Sequence, residues 1–278
     1  HRFVAGETID QAVAAARELN AAGMTVTLDY LGESVSDRGE ATAAADTYLE
    51  IIDAIVGDGI DGNVSLKLTQ MGQDIDEAFL RRNVGRVLER AASHDMFVRF
   101  DMESSDYTQR TLDFFESIWD AGTRNCGIVL QSMLRRTEQD TRRANERGVR
   151  VRLCKGAYME PADVAFQDKE DVDASFVRCT RLLLDDGHYP GIATHDEAMI
   201  EATIEHATTH DIDPASFEFQ MLYGVRRDIQ QQLIDDGWRL RIYLPFGNAW
   251  YPYLMRRLAE RPANVLFITN NIIKEWFA

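Results

Sequence analysis

Eight times along this chain, a short run rich in β-branched and aliphatic residues gives way to a longer stretch with helical spacing, and no other feature restricts the fold as much. The strand-like runs are TVTLDY (25–30), NVSLKL (63–68), FVRFDM (97–102), CGIVLQ (126–131), VRVRLC (149–154), GIATH (191–195), FEFQM (217–221) and LRIYLP (240–245). Between them, EATAAADTYLEIIDAIV, DEAFLRRNVGRVLERAA, TQRTLDFFESIWDAG, DEAMIEATIEHATTH and RRDIQQQLIDDG place apolar residues three and four apart, the period of an amphipathic helix. Gly122, Gly148 and Gly237 stand where a helix end asks for a left-handed residue. The alternation predicts an α/β fold, a (β/α)8 barrel of the TIM type. A doubly wound open sheet is the rival. The count of eight and the even composition favour one closed barrel, with residues 1–278 as a single domain. The chain begins without Met and ends in NNIIKEWFA, so trimming at one or both ends is expected. The longest irregular stretch, 156–172, follows the fifth run directly, where a long loop is expected to be functional or mobile.

The bulk numbers exclude several classes. At 278 residues, 45% hydrophobic and 27% charged, the chain can bury a substantial core and reads as a soluble globular protein. No stretch approaches the roughly 18 consecutive apolar residues of a membrane span. HRFVAGETID lacks the basic flank and apolar centre of a secretory signal. Cys126, Cys154 and Cys179 fit neither a disulfide framework nor a zinc spacing, which favours a reducing, cytoplasmic setting. A formal net charge of −16 argues against nucleic acid. Any anion site must therefore be a local cluster of cations in a repellent field. Lysine is scarce, confined to Lys67, Lys155, Lys169 and Lys274, so the places where it falls carry weight.

Two motif look-alikes are set aside. GDGIDG (57–62) has dinucleotide-fingerprint spacing, but a helix precedes it and a strand follows, the reverse of what phosphate binding at a helix start requires. It reads as a turn. HATTH puts His206 and His210 four apart, yet Ala207 stands where a zinc protease needs Glu, so a solvated helix face is expected and no metal site.

In barrels of this kind, active sites are built at the carboxyl ends of the strands. Six consecutive runs end in polar residues: Lys67, then Asp101 with Met102, Gln131, Arg152 with Lys155, Thr194 with His195, and Glu218 with Gln220. After the eighth run, YLPFGNAWYPYLMRRLAE (243–260) brings Tyr253, Arg256, Arg257 and Glu260 within a helical arc of about 100°. Leu254, Met255 and Leu258 fall on the other side. Spacing alone leaves two readings open: a solvated face with an Arg256–Glu260 pair, or a clamp in which two guanidinium forks close over one small carboxylate. Tyr243, Tyr251 and Tyr253 could wall the apolar part of such a ligand.

Taken together and in order, SLKLTQMG, DMESSDYT, VRLCKGAYMEP, ATH, FEFQMLYGVRRD and WYPYLMRRLAERPAN resemble the proline dehydrogenase family, and within it the monofunctional bacterial enzymes. The resemblance covers about residues 25–270. It implies a distorted (β/α)8 barrel that uses FAD to oxidise L-proline to Δ1-pyrroline-5-carboxylate, the first step of proline catabolism. It further implies hydride transfer to flavin N5, and onward transfer to a quinone by transient peripheral contact with the inner face of the cell membrane. By motif match, Lys67, Arg256 and Arg257 would bind the substrate carboxylate, and Leu222, Tyr243 and Tyr253 would line its ring. Asp101 and Arg152 match catalytic positions, and Glu260 an acidic residue supporting the arginine pair. Met102, Gln131, Arg152, Lys155, Gly156, Ala157, Tyr158, Thr194 and His195 match FAD contacts. In the implied mechanism Asp101 orients Lys67 or Arg152, and solvent could take the amine proton. Two departures stand out: Cys154 replaces a more usual aliphatic residue, and the family's amino-terminal helices are expected to be missing.

Two other readings of the rim differ in class. A Schiff-base aldolase would use Lys155 or Lys67 as the imine-forming amine. A barrel that only binds an amino acid, or serves in an assembly, would show neither colour nor turnover.

Overall fold

The computed structural model describes residues 3–250. Within each strand the two faces differ in chemistry. Val26, Leu28, Val64, Leu66, Ile242 and Leu244 are buried and apolar, while the residues between them, such as Thr27, Asp29, Ser65 and Arg241, are buried and polar. Because successive side chains point to opposite faces, such strands must cover one face with helices and enclose the other.

They do so by closing on themselves. β1 (Thr25–Tyr30), β2 (Gly62–Leu66), β3 (Val98–Phe100), β4 (Cys126–Gln131), β5 (Val151–Cys154), β6 (Gly191–Ala193), β7 (Glu218–Leu222) and β8 (Leu240–Phe246) form a closed barrel in chain order. Neighbours are parallel, and β1 pairs with β8 from Thr25↔Arg241 to Tyr30↔Phe246. The expected (β/α)8 fold is therefore the observed one. The apolar faces pack under α2 (Arg38–Gly57), α3 (Glu77–Ala92), α4 (Ser105–Asp120), α5 (Thr137–Glu146), α6 (Lys169–Asp186), α7 (Glu197–Thr209) and α8 (Arg227–Asp235), each following a strand. Helix starts are chemically marked: Asp37 accepts from Glu40 N at 2.9 Å and Asp76 from Phe79 N at 2.8 Å, caps that each contribute about 1 kcal/mol.

Three details fill in the expected plan. A helix, α1 (Ile9–Ala21), opened by a Thr8/Gln11 capping box, precedes β1 and packs against β1 and β8. The segment after β5 is tied down: Phe166 N donates to Met133 O at 2.8 Å, Arg135 N donates to Val164 O at 2.9 Å, and Ala165 packs with Met133 and Leu134. His206 is buried and bonded to Asp185 at 2.7 Å, while His210 is exposed, so the expected solvated face holds for the second histidine and not for the first. GDGIDG is the turn it was expected to be, linking the end of α2 to the start of β2.

Candidate active site

The polar faces of the strands point into the barrel, since their side chains meet across it, from β8 to β3 and from β5 to β2 and β7. Tertiary closure thus converts a two-residue alternation into a column of hydrogen-bonded polar side chains. A barrel of this class is more often filled with branched aliphatics.

At the carboxyl mouth the column centres on Asp101, just beyond β3. Its Oδ1 accepts from Arg152 Nη1 at 2.7 Å and from Ser65, and its Oδ2 accepts from Tyr243 OH at 2.6 Å. Lys67, just beyond β2, places Nζ 3.6 Å from Asp101 Oδ2, and 3.2 and 3.4 Å from the two oxygens of Asp29 at the end of β1. Arg152 also donates Nε to Gln220 and lies 5.1 Å from the centre of the Tyr243 ring. An added Cβ at Gly191 would lie 2.3 Å from Gln220 Nε2, so that glycine makes room for the amide.

Electrostatics follow from this geometry. Burial opposes the charge of Lys67, but Asp29 and Asp101 outweigh it and hold the ammonium above its ordinary pKa. Burial also works against Asp101, yet Arg152 and Lys67 hold its carboxyl below the usual range. Asp29 goes the other way, its carboxyl pushed up by burial despite Lys67. Glu103, two residues past Asp101, is raised by burial to about 7. Its Oε1 accepts from Thr69 at 2.7 Å, and its Oε2 has no hydrogen bond among the described residues.

The structure brings Lys67, Asp101, Arg152 and Tyr243 together as the sequence suggested. Gln131 closes β4 and donates Nε2 to Glu103 O at 2.8 Å. Met102 is buried just past β3, and Lys155, Gly156, Ala157 and Tyr158 are half-buried past β5. Thr194 and His195 follow β6, and Leu222 ends β7 with its N–H donating to His195 Nε2 at 2.9 Å. That bond leaves the ring proton of His195 on Nδ1. Lys155 is gripped by Asp173 and, at 2.7 Å, by Asp196. Glu218, expected at this rim, is instead the first residue of β7, and it pairs with Arg241 at the opposite, amino-terminal end. Tyr253, Arg256, Arg257 and Glu260 lie outside the described residues. Asp29, Ser65 and Glu103 were missed from sequence, although Asp29 ends its run just as Lys67 ends the next. No group of His, Cys, Asp or Glu suited to a metal ion occurs among the described residues, nor any helix long and apolar enough to cross a membrane.

The mouth can therefore fix an anion and hold charge at set positions. A family model described as proline dehydrogenase matches residues 12–270. Proline dehydrogenase 1 of Bacillus subtilis subsp. natto is 39% identical over 274 residues, covering 99% of this chain and 90% of that protein. The proline dehydrogenase of Deinococcus radiodurans is 39% identical over 277 residues, covering 98% and 89%. Among solved structures, proline utilization A (PutA) from Bdellovibrio bacteriovorus inactivated by N-propargylglycine superposes with a TM-score of 0.86 at 27% identity over 92% of this chain. This chain spans 32% of that longer one. An end-to-end match that nearly fills relatives of similar length admits one assignment: the chain belongs to the proline dehydrogenase family, of the monofunctional bacterial type.

Proposed function

We propose that this chain, as a single catalytic domain, oxidises L-proline to Δ1-pyrroline-5-carboxylate with FAD as cofactor, in the first step of proline catabolism. The observation that carries the reading is the joining of Lys67, Asp101, Arg152 and Tyr243 at the mouth of a barrel in this family. The residues present fit a flavin. Gln131, Arg152, Lys155, Thr194 and His195 line consecutive strand ends as a mixed set of cations and neutral polar groups, and Arg152 Nη2 has no hydrogen bond among the described residues. Gly156, at φ +100°, lets the following loop lie so close to Met133 that a Cβ would stand 2.5 Å from its Sδ. Met102, Ala157 and Tyr158 complete the residues that would hold the cofactor. When bound, the flavin supplies the acceptor for the two electrons that leave the substrate.

The chain's own residues do the positioning. Lys67, with Arg256 and Arg257, would fix the substrate carboxylate, while Leu222, Tyr243 and Tyr253 would wall the ring and Glu260 would support the arginines. Asp101 is a positioning group for Lys67 and Arg152, both of which it contacts. Arg152 brings fixed positive charge toward the cofactor side of the mouth. Onward transfer goes to a quinone, through transient contact of a cytoplasmic protein with the inner face of the membrane. The aldolase alternative is disfavoured, because Lys67, its charge held this firmly, is a poor nucleophile and Lys155 has its amine engaged by Asp173 and Asp196.

An absorption spectrum of the purified protein before and after adding proline tests the reading. Flavin bands that bleach are expected; a colourless protein, or one whose colour ignores proline, overturns it. Arg256→Ala or Arg257→Ala should raise the proline KM by about 30-fold or more, and changes under about threefold in both exclude the clamp. Reduction of a nicotinamide as readily as a soluble quinone would remove the quinone assignment.

A further inference from the structure

A fully buried carboxylate keeps its charge only beside a cation, and among the described residues Asp29 has one, Lys67. Asp101 is better supplied. Besides Lys67 it holds Arg152 Nη1 at 2.7 Å, Ser65 and Tyr243 OH at 2.6 Å. Lys67 is therefore indispensable to the charge of Asp29 and only additional to that of Asp101. The same ammonium is the one assigned above to the substrate carboxylate, so the inference rests on that reading. A third carboxylate arriving at this ammonium competes with both. Asp101, the looser partner at 3.6 Å, still has Arg152 as a cation, so the loss falls on Asp29, which Lys67 holds at 3.2 and 3.4 Å.

We propose that docking of a carboxylate ligand on Lys67 is coupled to protonation of Asp29. The ammonium turns from Asp29 to the ligand, and Asp29, left in the interior without its cation, takes one proton from solvent. One O–H bond forms and no electrons move. The added negative charge of the ligand is matched by the proton, so the interior gains no net charge. Asp29 is then a positioning residue: it aims Lys67 before the ligand arrives and releases it afterwards. The groups facing it are Lys67 beyond β2, Asp101 beyond β3, Tyr243 from β8 and Tyr48 from α2. The buried carboxyl of Glu103, on the same side of the mouth, is the competing place for a proton.

The test uses the holoenzyme and cyclopentanecarboxylate, which has the ring and carboxylate of proline but no nitrogen to oxidise. Calorimetric titrations at one neutral pH, in phosphate and in Tris, report protons taken up through the difference in buffer ionisation heat. Uptake approaching about one proton per ligand is expected, and Asp29→Asn should abolish most of it. Binding that Lys67→Met weakens at least about tenfold, with no buffer dependence in the wild type, overturns the proposal and leaves the function intact. Binding indifferent to Lys67→Met means that the carboxylate site itself was misassigned. Uptake that survives Asp29→Asn and vanishes in Glu103→Gln moves the proton to Glu103 and also overturns the proposal. Should Asp29→Asn fail to fold, infrared difference spectra of the wild type and Glu103→Gln decide. A protonated carboxyl band appearing in both on ligand addition supports the coupling, and its absence refutes it.

Discussion

The two ends of the barrel interior both bury ions, but they pair them differently. At the amino-terminal floor, Glu218 receives Arg241 bidentately at 2.7 and 3.1 Å, with Gln220 at 2.7 Å and Tyr189 at 3.1 Å completing its oxygens. Burial would raise that carboxyl, yet Arg241 holds it below the usual range. Around it, the Arg150 guanidinium is sandwiched between Phe97 and Tyr189, and the buried Arg99 donates to Ile128 O and Arg150 O. At the mouth one ammonium is divided between two carboxylates at 3.2–3.6 Å. A saturated pair offers a ligand nothing and serves the fold. A shared cation can change partners, and that is what a binding site needs.

The comparison can be broken at either end. The largest effect is expected from Glu218→Ala, which strands Arg241 in the interior. Unfolding in urea should show about 3–5 kcal/mol lost, with the proline KM of the remaining folded enzyme within about threefold of wild type. A stability change below about 1 kcal/mol would make the floor as loose as the mouth. Next comes Lys67→Met, which should raise the proline KM through a loss of about 2–5 kcal/mol of binding. It should cost less stability than Glu218→Ala, because Asp29 can take up a proton once its cation is gone.

Glu103→Gln should act through pH. An acid raised by burial from 4.5 to about 7 binds its proton more tightly when folded. Its contribution is full at and below the unfolded pKa and is lost as pH rises through 7. The wild type should lose up to roughly 3 kcal/mol between those limits relative to the variant. Parallel pH–stability curves for the two proteins would contradict this. The smallest effect is expected from Ser65→Ala, which removes one donor to Asp101 and should cost about 1 kcal/mol. That measures how far Arg152 and Tyr243 hold Asp101 without the Ser65 hydroxyl.

Much of this architecture was legible in the chain. All eight runs became strands, with ends shifted by a few residues where the ladder stops short of the last polar side chains, as at Phe100 before Asp101. The convergence of Lys67, Asp101 and Arg152 followed from the strand-end rule. Glu218 was misplaced because a polar residue in a short run does not announce which end of the barrel it occupies. Register and the distant Arg241 decide that. Asp29 was missable for a different reason: one carboxylate among many acidic residues looks ordinary until closure shows it fully buried against Lys67. The polar alternation of TVTLDY, shared by its neighbours, was the available signal for a polar-lined barrel.

Gln220 stands between the two ends, accepting from Arg152 on one side and donating to Glu218 on the other. Its amide turns its oxygen to one cluster and its nitrogen to the other, so a single neutral side chain fixes the spacing between them. Each end keeps its own ionic partners, Asp101 for Arg152 and Glu218 for Arg241. The barrel is thereby free to tune one end for turnover while the other anchors the chain.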